Sequence, residues 1–318
     1  MVARLRSWWK NTSKTLDAVI ISSLVILLIL LVLVILGYAN NWPWTGLHGR
    51  TLYDWLQLLI IPAVLALGGY LFNYTTGRTE REIASDRQQE EALQAYIDSM
   101  SALLLDKNLR ESGENDEVRT IARVRTLTVL PRLDGKRKAS VLQFLHESGL
   151  IKKGAKIVDL NEANLLKVDL FLADLSKADL RGASLRGANL HLADLNNAEL
   201  SGTGLLRANL NGANLTEANL SVGYLKEANL VGANLTKANL TETNLLGANL
   251  SRANLSEANL NKTILNGANL TEAVLSKADL TEAYLQRADL TKAKVTTNQL
   301  DKAFSLKGAT MPNGTKHA

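Results

Sequence analysis

The residues able to do chemistry are few in this chain and far apart. Its four histidines, His48, His146, His191 and His317, are scattered over 318 positions, which argues against a histidine-based metal site. There is no cysteine, which removes thiolate catalysis and any disulfide framework. No phosphate-binding loop, paired histidines or Ser/His/Asp set stands out, although a triad is defined by geometry rather than by order in the chain. The expectation is a non-enzyme: no catalytic, cofactor-binding or metal-ligating residue, and no cofactor. What the polar residues do have is rhythm, so the next question is which elements carry it.

From Val158 to Val295 a large apolar residue falls on every fifth position. Leu160, Leu165, Leu170 and Leu175 open the series, and it holds without a slip to Leu290 and Val295, 28 positions in all. Two residues before each stands a small residue, mostly Ala, as at Ala163, Ala173, Ala178, Ala183 and Ala188. Between them is usually Asn or Asp. A helix places apolar residues three, four and seven apart, and a strand alternates them. A period of five drifts around a helix, so no single face of one would stay buried. The repeat must impose a geometry of its own.

The pattern A-(N/D)-L-x-x, as in Ala213-Asn214-Leu215-Thr216-Glu217 and Ala233-Asn234-Leu235-Thr236-Lys237, resembles the pentapeptide-repeat family. The resemblance implies a right-handed quadrilateral β-helix, a solenoid with one pentapeptide per side, four per coil and about seven coils. In that reading Leu160, Leu165, Leu180, Leu200, Leu220, Leu240, Leu260 and Leu280 belong to the repeat core. The small residues pack inward beside them, and coils stack at roughly the 4.8 Å spacing of strands. Each buried Leu contributes about 1.5–3 kcal/mol before entropy is counted, enough in sum for a stack that no single repeat sustains.

If four repeats close a coil, residues 20 apart are stacked. One outward column then reads Lys177, Asn197, Glu217, Lys237, Glu257, Lys277, with signs alternating from Glu217. Others hold Glu242, Lys262, Glu282 and Arg252, Glu272, Lys292. Opposite charges across a ladder contribute about 0.2–1 kcal/mol per pair, so the alternation itself favours four repeats per coil. Asn189, Asn209, Asn229, Asn249 and Asn269 form an amide column. Departures gather on one side. Ala gives way to Thr203, Gly223, Thr243 and Thr263, and the Asn position holds Tyr224, Ile264 and Tyr284. Leu166, Leu206 and Leu246 take a normally polar outward position. The expected interaction face is therefore Leu166, Leu206, Tyr224, Leu246, Ile264 and Tyr284, for a partner or a second copy. Relaxed drift of the repeat accounts for the same departures about equally well.

Net charge is +5. Residues 155–295 carry 14 Lys/Arg against 15 Asp/Glu, so the basic excess lies outside the repeats. Residues 1–17 are basic, with Arg4, Arg6, Lys10 and Lys14. Ala18 to Gly37 is uncharged and almost continuously apolar, and Trp55 to about Tyr74 is again uncharged. About 20 such residues span a bilayer as a helix. A cleaved signal peptide is the weaker reading, because the run is long and lacks a good small-residue site. The expectation is a transmembrane hairpin over 18–75, with spans at about 18–38 and 54–74. Trp42 and Trp44 sit in the loop between them, and the Lys/Arg bias places both ends on the cytoplasmic side of a multi-pass membrane protein. The lipid bilayer is then one partner.

Residues 76–154 read as a helical region between membrane and repeats. Leu93, Tyr96, Ile97, Met100, Leu103 and Leu104 fall at helical spacing. They are read first as a packing face, with self-association through 80–104 as the sharper alternative. Val118 to Val129 reads as an amphipathic helix, and Ser140 to Glu147 as a short one that, with Leu150 and Ile151, caps the first coil. The repeats fill 155–296. Residues 297–318 read as a C-terminal cap and tail, with Thr297 capping a short helix, Phe304, Leu306 and Met311 covering the last coil, and 312–318 loose.

The function read from this is a membrane-anchored scaffold that presents the solenoid to an unidentified cytoplasmic protein. Proteins of this layout look cyanobacterial by resemblance. Some family members imitate DNA and bind gyrase, but imitation of a duplex needs dense negative charge, and the near-neutral repeats disfavour it. Nucleic acid is not an expected partner. A third reading is a subunit of an oligomeric membrane assembly.

Overall fold

The structure is a computed structural model that describes residues 52–318 together with Val32 and Leu36. The chain divides into two units, Met1–Ile83 and Ala84–Ala318. Of the first unit the structure describes Val32, Leu36 and the first part of α1 (Leu52–Asp106). No helix among the described residues is long and apolar enough to cross a membrane. This overturns the expected transmembrane hairpin and the multi-pass membrane placement with cytoplasmic ends. Residues 54–74 do not form a helix of their own. Their backbone is the start of α1, which continues unbroken through Glu80, Arg81, Glu82, Asp86 and Arg87, so the element is mixed rather than uniformly apolar. The basic stretch 1–17, the loop with Trp42 and Trp44 and, apart from Val32 and Leu36, the expected span 18–38 lie outside the described residues.

In the second unit the end of α1 packs on α2 (Glu117–Val129) and α3 (Gly135–Glu147). Leu93, Tyr96, Met100 and Leu103 are buried, so the apolar stripe of 80–104 is covered within the chain. Tyr96 Oη lies 2.8 Å from Thr126 Oγ1, and its ring meets Phe144 edge-on. Arg137, at the start of α3, reaches Asp86 at 2.8 Å, Glu90 at 2.9 Å and Asp134 at 2.8 Å, which clamps α3 to α1. Asp134, read from sequence as half of a turn, is the N-cap of α3 and accepts from the Arg137 N–H at 2.9 Å. The helix therefore begins five residues before the expected Ser140.

The solenoid follows. Every bridge from Asn164↔Ser184 to Val274↔Lys294 is parallel and joins residues 20 apart, so four pentapeptides make each coil. One repeat shows how the geometry closes. Leu205 donates its N–H to the Tyr224 carbonyl of the next coil at 2.9 Å, and Tyr224 N–H returns to Thr203 O at 2.9 Å. The corner is a β-turn: the Ala208 N–H donates to Leu205 O at 3.0 Å, and Arg207, third in the turn, has φ 56. Left-handed backbone at that position is what a type II turn demands. The leucines and the small residues point to the axis and are buried.

An open solenoid presents unpaired backbone at both ends. At the first coil, Asp169 N–H donates to Gly135 O at 3.0 Å and Asp179 N–H to Ile151 O at 2.6 Å. Leu150 and Ile151 are fully buried. A side chain on Gly135 would strike the Lys167 carbonyl, so the approach of α3 depends on glycine there. At the far end Thr296, not Thr297, is the N-cap of α4 (Thr297–Leu300), in a capping box with Gln299. That helix adds one residue, and the next bridges, Tyr284↔Ser305 and Asp289↔Thr310, are 21 apart. The end of the chain is not loose: Thr310 pairs antiparallel with Lys316.

Candidate interaction surface

The surface of the solenoid is set by its turn positions. The left-handed third residue is glycine at Gly182, Gly187, Gly212 and Gly232, but Lys, Glu or Arg at many others. A non-glycine residue there is strained by about 1–2 kcal/mol. The strained residues gain partners 20 positions away: Arg207–Glu227 at 2.6 Å, Arg252–Glu272 at 3.0 Å, Lys262–Glu282 at 3.9 Å, Lys277–Glu257 at 3.9 Å and Lys237–Glu217 at 4.0 Å. The first part of the Asn column is tied side chain to side chain, from Asp169 through Asn189 and Asn209 to Asn229, whose Nδ2 donates to Asn209 Oδ1 at 3.2 Å. The Asn or Asp oxygen also accepts from the N–H two residues on, as Asp289 does from Thr291 at 3.0 Å, an Asx turn. Most of this surface is thus satisfied by itself.

The irregular side separates into two parts. Thr203, Thr243 and Thr263 are wholly buried, and their hydroxyls donate to Leu200 O at 2.7 Å, Leu220 O at 2.8 Å and Leu240 O at 2.7 Å. Gly223 sits among them because a Cβ would lie 2.8 Å from Leu220 O, the carbonyl that Thr243 already occupies. These departures from Ala are internal packing and present nothing outward. Of the six expected face residues, Leu166, Leu206 and Leu246 fall in one column, but Arg186 and Lys226 stand between them, so they make no continuous stripe. Tyr224 is 61% exposed, with Asn244 between it and Ile264. Ile264 and Tyr284 are half-buried neighbours paired across adjacent coils.

Sequence reasoning missed how this column ends. Phe304 does not cover the last coil: it is exposed and lies against Tyr284, ring centroids 4.7 Å apart. Its N–H donates to Ala283 O at 2.9 Å, so the backbone places it directly after Tyr284. Ile264, Tyr284 and Phe304 form the unbroken apolar part of this side. Phe304 stands 20 residues after Tyr284 but beyond Val295, where the five-residue period breaks, so the period did not extend the column to it. A second apolar group, Phe171, Leu172 and Leu192, was also missed, although Leu172 and Leu192 are 20 apart and legible as a pair. Among the described residues no group of His, Asp and Glu is arranged to hold a metal ion.

The same repeats match the model of the pentapeptide repeats in eight copies, over residues 173–205, 193–221, 224–256 and 253–291. Among solved structures the chain is similar to HetL, a pentapeptide repeat protein involved in heterocyst differentiation regulation in the cyanobacterium Nostoc sp. strain PCC 7120. Identity is 39% over 50% of this chain and 75% of HetL, with a TM-score of 0.28. A pentapeptide repeat protein of the Arabidopsis thaliana thylakoid lumen is 25% identical over 45% of this chain and 83% of its own, TM-score 0.20. QnrB1, a plasmid-mediated fluoroquinolone resistance protein, is 21% identical over 49% and 87%, TM-score 0.25. No curated protein matches the chain. The chain belongs to the pentapeptide-repeat family.

Proposed function

We propose that this protein is a non-catalytic interaction module whose solenoid offers the Ile264–Tyr284–Phe304 column, with Tyr224, Leu206 and Leu246 beside it, to a protein partner. The observation that carries this is the tilted Tyr284–Phe304 ring pair, placed outward beside columns that are closed by ion pairs and amide hydrogen bonds. Tyrosine and phenylalanine are the residues interfaces favour at their buried centres, and a scaffold needs no catalytic residue. Imitation of DNA is not favoured, because the repeats carry 14 basic and 15 acidic residues and pair them along the columns.

The test is affinity purification of the full chain beside a Tyr224→Lys/Tyr284→Lys/Phe304→Ser variant, quantified by mass spectrometry. Partners that follow the wild type and drop at least about tenfold with the variant, a difference of about 1.4 kcal/mol, support the reading. Recovery of the same proteins at the same level by both sinks it. Sedimentation of each at micromolar concentration separates a foreign partner from a second copy.

A further inference from the structure

A cleft of about 320 Å³ opens between α3 and the first coil, lined on one wall by Ala139, Gln143, His146 and Glu147 and on the other by residues 169–175. It lies two turns further round the coil from the Tyr284 column and toward the other end of the solenoid. Its mouth is apolar. Phe171 is 51% exposed, Leu172 60% and Leu192 45%. Leu172 and Leu192 both occupy left-handed turn positions, φ 58 each. The next two residues of their column, Gly212 and Gly232, show what those turns prefer. Leucine there is unfavourable twice over, once in backbone strain and once in exposed apolar surface. Leu192 also leans over Gly212, where a Cβ would meet its Cδ2 at 2.7 Å. The Phe171 ring stacks on His191 at 5.6 Å, and His191 is fixed in turn by Nδ1 donating to Asn211 O at 2.7 Å.

The interior of the cleft is acidic. Glu147, Asp169 and Asp174 line it, with no Lys or Arg among the lining residues. Each carboxylate is held by neutral donors: Glu147 by Gln143 at 2.8 Å, Asp169 by Asn189 at 2.7 Å, Asp174 by the Ser176 N–H at 2.9 Å. The Ser176 N–H keeps Asp174 below the ordinary aspartate range, so its charge stands at neutral pH. The backbone adds a third feature. On this first coil the N–H of Asp169 is received by Gly135 and that of Asp179 by Ile151, while that of Asp174, between them, meets no protein acceptor among the described residues. One rung of the sheet edge is open inside the cleft, and an extended chain joins such an edge through its own carbonyl.

We propose that this cleft docks a short extended peptide segment of a partner, one that carries an apolar side chain next to Lys or Arg. The apolar group seats on Phe171, Leu172 and Leu192. The cation meets Glu147, Asp169 and Asp174. A backbone carbonyl accepts from the Asp174 N–H.

The full chain, panned against a random 12-residue peptide library displayed on phage, is expected to enrich peptides in which an apolar residue adjoins Lys or Arg. Recovered peptides, synthesised with a fluorophore, are then titrated by anisotropy. Leu172→Gly and Phe171→Ser should each weaken binding about tenfold. Leu172→Gly places the residue its turn prefers, so a melting temperature that holds or rises separates lost contact from lost fold. Glu147→Gln/Asp174→Asn should weaken binding and flatten its salt dependence, since screening removes what the carboxylates supply. Tyr224→Lys/Tyr284→Lys should leave peptide binding untouched, which keeps this site distinct from the aromatic column. No enrichment, enriched peptides without a basic residue, affinity unmoved by the cleft substitutions, or an effect of Leu172→Gly on self-association alone would each overturn the proposal.

Discussion

Single residues at the corners of the coil carry opposing demands. Val222 shows the conflict most simply. It is β-branched, exposed and left-handed at φ 52, in a column whose neighbours include Gly202. Nothing pairs with it in the manner of Arg252 and Glu272. Val222→Gly should therefore raise stability by about 1 kcal/mol, read as a higher denaturant midpoint with unchanged slope. The Asx turns carry a second, pH-dependent expectation. Hydrogen bonds from Thr281 hold Asp279, and those from Thr291 hold Asp289, below the ordinary aspartate range. A group depressed in the folded state stabilises above its unfolded value, about 3.9 for Asp, and loses that contribution as pH falls through the folded value. Stability should thus decline below about pH 4. Asn239 makes the same turn to Thr241 without a charge, so Asp279→Asn/Asp289→Asn should be tolerated at pH 7 and should lose less stability on acidification. Thermal melts across that range check both halves.

At the scale of elements, the contact that decides the fold's beginning is α3 on the first coil. Three features fix it: the Arg137 clamp on Asp86 and Glu90, the Gly135 carbonyl on Asp169 N–H, and the burial of Leu142, Leu145, Leu150 and Ile151. Gly135→Ala forces the Lys167 carbonyl away and should free the cap. Amide exchange should accelerate at Asp169 and Asp179 while central coils stay protected. If exchange instead rises uniformly, the cap is not a separable unit. Within the coils the corresponding change is Leu240→Ala, at a wholly internal position. It should cost about 2–5 kcal/mol, because neighbouring coils are locked in register and cannot close on the void.

Taken as a whole, the second unit is a stack in which each coil contacts only its neighbours, with an irregular cover at each end. Such stacks lose structure from the ends or at the weakest interface. The aromatic column lies near the C-terminal cover, and the acidic cleft is formed by the N-terminal one. Binding at either place should therefore protect the adjacent end, visible as slower amide exchange there and not at the opposite end. The two places also differ in chemistry, one aromatic and uncharged, the other carboxylate-rich with an open backbone donor.

The five-residue period marked the core leucines, the family resemblance it carries implied a solenoid of four repeats per coil, and the charge alternation at a spacing of 20 supported that count. The reason is local: every repeat makes the same turn, so register in the sequence is register in space, and charges 20 apart meet. Where that translation fails, only tertiary structure decided. Thr203, Thr243 and Thr263 looked like surface departures and proved internal, because a hydroxyl satisfied by a carbonyl fits where Ala does. Phe304 stands 20 after Tyr284 but past Val295, where the period breaks, and only the fold after α4 set it against Tyr284. The apolar run at 54–74 read as a membrane span, yet its backbone belongs to a longer and more polar helix; hydropathy in a window does not say where a helix ends. The acidic cleft joins residues 139–147 to 169–175, and no periodicity connects those two segments. It exists because α3 packs across one coil edge and leaves the Asp174 rung uncovered.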